Sequence, residues 1–215
     1  MSTHLVWFRS DLRTLDNPAL YAAAAEGHVT ALFLLTPEQW RLHGIAAKKI
    51  AFLLRSIDTL SATLATLGIE SRIICGSTFS DAAENVVAVA KDIGACNVFW
   101  NNEIALDEQR RDASVEKALN AQGIGVRRCE AATSMPVGSV RKPDGTPYSV
   151  FTPYKKRWIS LRIDQSIQTL PVPRPQGLAV AASTAPQIID GIAKTAGADT
   201  WPAGEANALT LLDTF

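Results

Sequence analysis

The chain has 215 residues, with 21 Lys and Arg against 21 Asp and Glu, so its formal net charge is zero. This balance gives no overall basic field to hold a nucleic acid, and the length allows one domain with a sizeable core. No apolar run reaches the ~18 residues of a membrane span, so we expect a soluble, cytoplasmic protein. The three cysteines form no C-x-x-C pair, which argues against a disulfide framework or a zinc site and favours small core residues; they are Cys75, Cys96 and Cys129.

The first predicted element is a buried strand over residues 4–8, an apolar run with β-branched and aromatic side chains. Asn17 can then cap a helix whose first residue is Pro18. The loop between them lies, in an open α/β sheet, at the carboxyl edge where ligands usually bind. It carries four charged residues, which either serve a ligand or pair with each other and with neighbouring loops: Arg9, Asp11, Arg13 and Asp16.

Apolar runs and helical periodicity alternate from there to about residue 129. The predicted strands cover residues 4–8, 29–35, 69–75, 96–100 and 125–129, and the predicted helices cover residues 18–26, 50–67, 80–93 and 107–122. A polar loop carrying His43 separates the second strand from the second helix. Strands that alternate with helices through short connections predict a doubly wound, five-stranded parallel sheet with helices on both faces, which is a Rossmann-like α/β fold.

The pattern changes after residue 130. Lys155, Lys156 and Arg157 are followed by Trp158 in a segment with two interpretations. It is either a nucleic-acid patch or, as we expect, a helix that buries Tyr154, Trp158 and Leu161 and leaves its basic side in solvent. Four prolines among small residues between 170 and 186 predict a linker.

Three phrases of the chain resemble the DNA photolyase/cryptochrome family. The first is Trp-Phe-Arg-x-Asp-Leu-Arg-x-x-Asp-Asn-x-Ala-Leu at residues 7–20. The second is Tyr-x-Val-Phe-Thr-Pro-Tyr-x-x-x-Trp at residues 148–158, where Tyr154 stands in place of the family's usual Phe. The third, Gly-Glu-x-x-Ala-x-x-x-Leu-x-x-Phe at residues 204–215, resembles the opening of the family's large helical domain.

The resemblance implies a domain plan and a function. Residues 1–135 would form the photolyase-type α/β antenna domain, 136–168 its closing segment and helix, 169–200 a linker, and 201–215 the start of an FAD-binding helical domain, so that the chain would be a truncated form. The whole enzyme would be a deoxyribodipyrimidine photo-lyase, which repairs cyclobutane pyrimidine dimers in ultraviolet-damaged DNA by light-driven electron transfer from FAD. FAD and the DNA cleft would belong to the missing domain, so no catalytic residue is assigned here, and we expect a monomer.

The resemblance also implies the residues that hold a light-harvesting pigment. In folate-binding photolyases an Asn-Glu pair after the fourth strand binds the pterin of methenyltetrahydrofolate, and a carboxylate suits the flat row of donors on that ring. Glu108 matches the acid, whereas Asp107 stands in place of the Asn. His43 matches a histidine of the same site. Because of Asp107, a deazaflavin pigment or a site without a pigment also remains open.

Two other functions are compatible with parts of this sequence. A cryptochrome, which senses blue light and signals through partners, would share every phrase quoted above. A nucleotide-binding module of the stress-protein type shares the layered plan but needs a glycine-rich phosphate loop after the first or fourth strand, and neither loop has one. The sequence also lacks a nucleophile elbow and a zinc helix, so we predict neither a hydrolase triad nor a metal site.

Overall fold

A computed structural model of the chain describes residues 2–131, 133–163, 169–198 and 200–214. Its centre is a sheet of five parallel strands in the order β3-β2-β1-β4-β5. The strands are β1 Thr3–Phe8, β2 His28–Leu35, β3 Glu70–Cys75, β4 Asn97–Asn101 and β5 Gly125–Cys129. Each lies where the apolar runs predict a strand, so the predicted α/β fold is confirmed.

Helices connect the strands and cover both faces of the sheet. They are α1 Pro18–Glu26, α2 Pro37–Leu42, α3 Ala47–Thr66, α4 Ala82–Asp92 and α5 Leu106–Asn120. The short α2 replaces part of the polar loop expected there, because Pro37 begins it and Glu38 lies in its first turn, where a negative charge is favourable. A one-turn 3-10 helix, Phe79–Asp81, precedes α4.

The side chains of β1 show how the two faces are filled. Val6 and Phe8 point into a core that α1 and α3 cover, whereas Leu5 and Trp7 point into a core that α4 and α5 cover. All four are buried. A strand that is apolar at every position is required when both faces are covered, which explains why the first predicted strand shows no alternation.

The carboxyl-terminal third adds helix α6 Phe151–Ile163, a small hairpin of β6 Ile188–Ile189 with β7 Ile192–Ala193, and helix α7 Glu205–Thr214. The carboxylate of Asp58 on α3 accepts hydrogen bonds from the backbone N–H of Ala185 at 2.6 Å and from Nζ of Lys194 at 2.5 Å. The predicted linker therefore lies against α3, held by partly buried polar contacts. Residues 164–168 of the predicted closing helix, residue 199 of the predicted linker and residue 215 of the third phrase lie outside the described residues.

Two sequence-based predictions about burial are wrong in part. Cys75 and Cys96 are exposed, because they lie at or beside the ends of strands, whereas Cys129 is half-buried and packs against the core that α1 and α3 cover. Helix α6 has no fully buried residue: Tyr154 is 37% exposed, and Trp158 and Leu161 are half-buried. Its apolar side chains have no core to join, since α1 and α3 cover one face of the sheet and α4 and α5 the other. Among the described helices, none has the length and apolar character needed to cross a membrane.

Candidate functional site

The edge of the sheet between β1 and β4 is the place where the chain changes direction. From β1 it continues to β2 and β3 on one side, and it then crosses to β4 and β5 on the other. In open α/β sheets the crevice at such a switch point, beyond the carboxyl ends of the strands, is where ligands bind. The loop after β1 and the loop after β4 meet at this edge.

Asn101, the last residue of β4, joins the two loops. Its buried amide donates hydrogen bonds to the carboxylate of Asp11 at 2.5 Å and to the side-chain oxygen of Asn17 at 2.8 Å, and it accepts one from the N–H of Ala19 at 3.0 Å. Asn17 in turn caps α1 by accepting from the N–H of Leu20 at 3.1 Å. The charged loop is therefore anchored to β4 and to the start of α1.

Two arginines and two acids form a mostly buried cluster beneath this edge. Asp112 lies 3.4 Å from Arg9 and 2.7 Å from Arg111, and Arg111 also pairs with Glu103 at 2.7 Å. The side chains of Arg9, Arg111 and Asp112 are at most 6% exposed. Arg9 additionally donates to the backbone oxygen of Asn101. Among the four charged residues of the first loop, Arg9 therefore forms an ion pair within the protein, as one of the two interpretations predicted, whereas Asp11, Arg13 and Asp16 make hydrogen bonds to uncharged groups.

Aromatic rings hold the guanidinium groups in place. Arg9 and Arg111 lie over the ring of Trp7, at 4.6 and 4.8 Å from its centroid. Arg111 also lies 4.7 Å from the ring centroid of Phe79, so it is stacked between two aromatic side chains. Such cation–π contacts strengthen when the cation is removed from water. The ion pairs and ring contacts therefore hold both arginines in place at the switch point.

The environment shifts the pKa values of groups in this cluster. Burial lowers the pKa of Arg9 from its usual value, although the charge of Asp112 opposes this effect. Burial by itself would raise the pKa of Glu103, but the charge of Arg9 and hydrogen bonds from Ser10 and Arg111 outweigh it, so the pKa falls below its ordinary 4.5. Glu103 is thus held ionised by its partners and serves to balance the arginines.

The Glu103 carboxylate makes stability depend on pH in a defined window. A group whose pKa is lowered by folding stabilises the folded state above its unfolded pKa, and the stabilisation is lost as the pH falls through its folded pKa. We expect Glu103→Gln to reduce the free energy of unfolding by about 1 kcal/mol at neutral pH. The difference from the unmodified chain should stay constant down to the ordinary value of 4.5 and shrink below it. Urea titrations of both proteins over this range measure it, and a difference that grows on acidification would contradict the assignment.

His43, which directly follows α2, lies next to Phe79 at this edge of the sheet. The imidazole of His43, just after α2, lies 2.8 Å from the side-chain nitrogen of Gln39 and 6.1 Å, centroid to centroid, from the ring of Phe79. Gln39 also accepts a hydrogen bond from the N–H of Phe79 at 3.1 Å. Gln39 therefore fixes both residues, and Phe79 lies between His43 and Arg111.

The other two predicted residues lie in the first turn of α5. Glu108 is half-buried and comes three residues before Arg111, so both are on the same side of the helix. Among the described residues, no hydrogen bond or ion pair engages its carboxylate, which leaves it free to accept donors from a ligand. Asp107 is exposed and pairs with Arg110 at 3.2 Å. The structure thus places His43 against Phe79 and Glu108 one helical turn before Arg111, which also contacts Phe79, and it leaves Asp107 exposed in the first turn of α5.

The sequence reasoning missed Gln39, Phe79 and Arg111. Gln39 carries a recognisable signal, since it is four residues before His43 and such pairs meet on a helix. Phe79 and Arg111 meet only through the packing of the 3-10 turn on α5, which no local pattern reveals. Within the described part of the chain, no group of three or more His, Cys, Asp or Glu could hold a metal ion. The arrangement is suited to binding a planar polar ligand.

Comparisons with known proteins identify the family. A family model described as DNA photolyase matches residues 4–176. The deoxyribodipyrimidine photo-lyase of Vibrio cholerae is 39% identical over 158 residues, which cover 73% of this chain and 34% of that protein. The chain spans about a third of the length of this protein and of the homologous photo-lyases from Salmonella typhimurium and Escherichia coli.

Solved structures of the family share the fold. A class III photolyase from Agrobacterium tumefaciens has a TM-score of 0.73 at 22% identity, over 99% of this chain and 44% of that one. A cryptochrome from Synechocystis has a TM-score of 0.66 at 22% identity, over 87% of this chain and 40% of that one. The family model covers most of the sequence, and the motif at residues 7–20 forms the edge of the sheet described above. The chain therefore belongs to the DNA photolyase family.

Proposed function

We propose that the chain is the light-harvesting domain of a deoxyribodipyrimidine photo-lyase, which repairs cyclobutane pyrimidine dimers in ultraviolet-damaged DNA. In this proposal the domain holds an antenna pigment that passes excitation to FAD, and the reduced FAD transfers an electron to the lesion. FAD and the lesion belong to a helical domain that begins near residue 201, after the linker at 169–200. The α/β domain itself spans 1–135 and is closed by 136–168. The protein would act in the cytoplasm as a monomer.

One observation carries the assignment of a pigment to this chain. His43 and Arg111 of α5 are distant in sequence, yet both contact Phe79 at the carboxyl edge of the sheet, and Glu108 lies three residues before Arg111. Phe79 offers a ring on which a planar pigment can pack, and the unpartnered carboxylate of Glu108 offers an acceptor for it. The buried arginine cluster beneath them keeps this surface fixed, which matters because a pigment must hold a constant orientation to transfer excitation.

We propose that the pigment is methenyltetrahydrofolate. The residues present fit a pterin: Glu108 can accept two parallel hydrogen bonds from adjacent donors of a flat ring edge, and His43, beside Phe79, can contact the ring. Asp107 faces solvent and pairs with Arg110, so we assign it a supporting role only, favouring the negatively charged side of the site through the first turn of α5. A deazaflavin is the second candidate, because it needs no carboxylate at Glu108.

Removing the carboxylate tests this proposal. We expect Glu108→Ala to weaken binding of methenyltetrahydrofolate by roughly 10- to 100-fold, since hydrogen bonds to a charged group contribute about 1.5–3 kcal/mol. Titration of the 215-residue chain with the pigment, followed by its near-ultraviolet fluorescence, measures the affinity. The matched control is Glu84→Ala, because Glu84 is an exposed acid in the first turn of α4.

The outcomes separate the candidates. Equal affinities for the Glu108→Ala variant and the control would remove Glu108 from the site. Uptake of a deazaflavin in a parallel titration, without uptake of the folate, would overturn the choice of pigment. If neither pigment binds, the antenna function itself is wrong for this chain.

A cryptochrome is the alternative function, and the fold that the chain shares with a solved cryptochrome favours it equally. The two functions differ in chemistry. A photolyase restores a thymine dimer in an oligonucleotide when its FAD is reduced and illuminated, whereas a light sensor leaves the dimer unchanged. Survival of a repair-deficient bacterium after ultraviolet exposure, with and without visible light, distinguishes them for a protein that contains this chain joined to an FAD-binding domain.

A further inference from the structure

Helix α6 presents aromatic and apolar side chains to solvent. Phe151 is 71% exposed and Tyr154 is 37% exposed, and no residue of the helix is buried. The two rings are 6.4 Å apart, and the ring of Tyr148 lies 6.3 Å from that of Tyr154. Phe151 and Tyr154 are thus exposed, whereas Tyr148 and Trp158 are half-buried. Contiguous exposed apolar patches mark interaction sites.

The helical spacing arranges these side chains in a stripe with cations on both borders. Phe151, Tyr154 and Trp158 follow at intervals of three and four residues and so share one side of α6. Lys155 comes four residues after Phe151, and Arg157 three residues after Tyr154, so they flank this side from its two edges. We call Phe151, Tyr154, Lys155, Arg157 and Trp158 the α6 patch.

The charge of this region is strongly one-sided. Residues 136–163 contain six Lys and Arg against a single acid, Asp144, in a chain that is neutral overall. Helix α6 has no Asp or Glu. Within the described part of the chain, Lys155, Lys156 and Arg157 take part in no ion pair. The positive charge of these three side chains is thus concentrated on the exposed part of α6.

We propose that the α6 patch binds a DNA strand, with Lys155 and Arg157 contacting phosphates and the aromatic stripe packing against unstacked bases. The charge of the patch predicts a polyanionic ligand, and only the choice of DNA among such ligands rests on the proposed function. Cations that border aromatic rings are the combination that single-stranded nucleic-acid sites use. A helix that lies in a membrane interface instead has its cations on the side opposite its apolar residues. On α6 the cations lie directly beside the aromatic residues. This domain would therefore contribute a contact to the nucleic acid besides holding a pigment.

Salt dependence of binding tests the phosphate contacts. The probe is a fluorescein-labelled, undamaged oligonucleotide, single-stranded or duplex, mixed in the dark with the full chain free of pigment. Fluorescence anisotropy between about 50 and 200 mM salt gives the slope of log affinity against log salt. We expect Lys155→Ala/Arg157→Ala to weaken binding and to make this slope less steep by about 2, one for each lost phosphate contact. Phe151→Leu/Tyr154→Leu should weaken binding of the single strand more than that of the duplex.

The matched control is Lys49→Ala/Lys117→Ala, which removes the same charge from exposed positions on α3 and α5. An equal loss in this control would overturn the proposal, because the attraction would then be general. Binding of vesicles containing phosphatidylserine, lost in the patch variant while DNA is not bound, would overturn it in favour of a membrane. Dissociation of a dimer by the same substitutions would overturn it in favour of a second copy of the chain. Since the test uses no pigment, no light and no lesion, its failure leaves the proposed function untouched.

Discussion

Replacing Asp112 with Ala should destabilise the protein by about 3–5 kcal/mol, the cost of breaking a buried ion pair by removing one partner. The carboxylate of Asp112 is 1% exposed and is the acceptor that Arg9 and Arg111 share, at 3.4 and 2.7 Å. Without it, two guanidinium groups that lie over Trp7 keep Glu103 as the ion-pair partner of Arg111, and Arg9 keeps only the weaker influence of Glu103 and Asp11. Chemical denaturation of the purified chain measures the free energy of unfolding.

The control for this prediction is Asp107→Ala on the same helix. Asp107 is exposed and pairs with Arg110 at 3.2 Å, and exposed pairs contribute about 1 kcal/mol or less. If Asp112→Ala prevents folding, Asp112→Asn keeps the shape and one acceptor oxygen while removing the charge, so an intermediate loss is expected. A change below about 0.5 kcal/mol in both Asp112 variants would mean that the arginine cluster does not stabilise the switch point.

The fold could be predicted because its signals are local. A strand covered on both faces, such as β1, is apolar at every position, and α3 repeats its apolar residues at helical spacing from Ile50 to Leu64. These patterns depend on neither topology nor register. Helix α2 was missed because its six residues are too few to show a period.

Burial was harder to predict than secondary structure. The spacing of the aromatic residues of α6 is typical of a helix that packs on a core, but this spacing does not predict which surface would cover them. In the structure the other helices already fill both faces of the sheet, so α6 stays exposed. Cys75 and Cys96 failed as core residues for a related reason, since Cys75 ends β3 and Cys96 precedes β4, whereas Cys129 packs partly against the core.

The candidate site could be predicted only in part. Glu108, Asp107 and His43 were identified by resemblance, and nothing in their local sequence distinguishes them from ordinary surface residues. The residues that join them, Phe79 and Arg111, come together across the fold. A contact between two elements distant in sequence depends on how they pack, and single-sequence patterns carry no information about it.

Replacing Leu54 with Ala should reduce the free energy of unfolding by about 2–5 kcal/mol, because the substitution removes buried methyl groups and leaves a cavity. Leu54 is fully buried in the middle of α3, within the core that also contains Phe8 and Phe33. This helix supports the face of the sheet next to the switch point and carries the contacts to the linker, so its packing stabilises both. The midpoint of urea denaturation should fall while its slope stays the same, which indicates a change in stability alone.

Leu42→Ala is the matched control, because the same side chain on α2 is 70% exposed and its loss should change stability by less than about 0.5 kcal/mol. If Leu54→Ala cannot be purified in folded form, Leu54→Met conserves most of the volume and should cost less than about 1.5 kcal/mol. Equal effects of Leu54→Ala and Leu42→Ala would contradict the packing of α3 on the sheet. The switch point would then lose the support that makes a fixed pigment site possible, because β1 and β2 rest on the core that this helix covers.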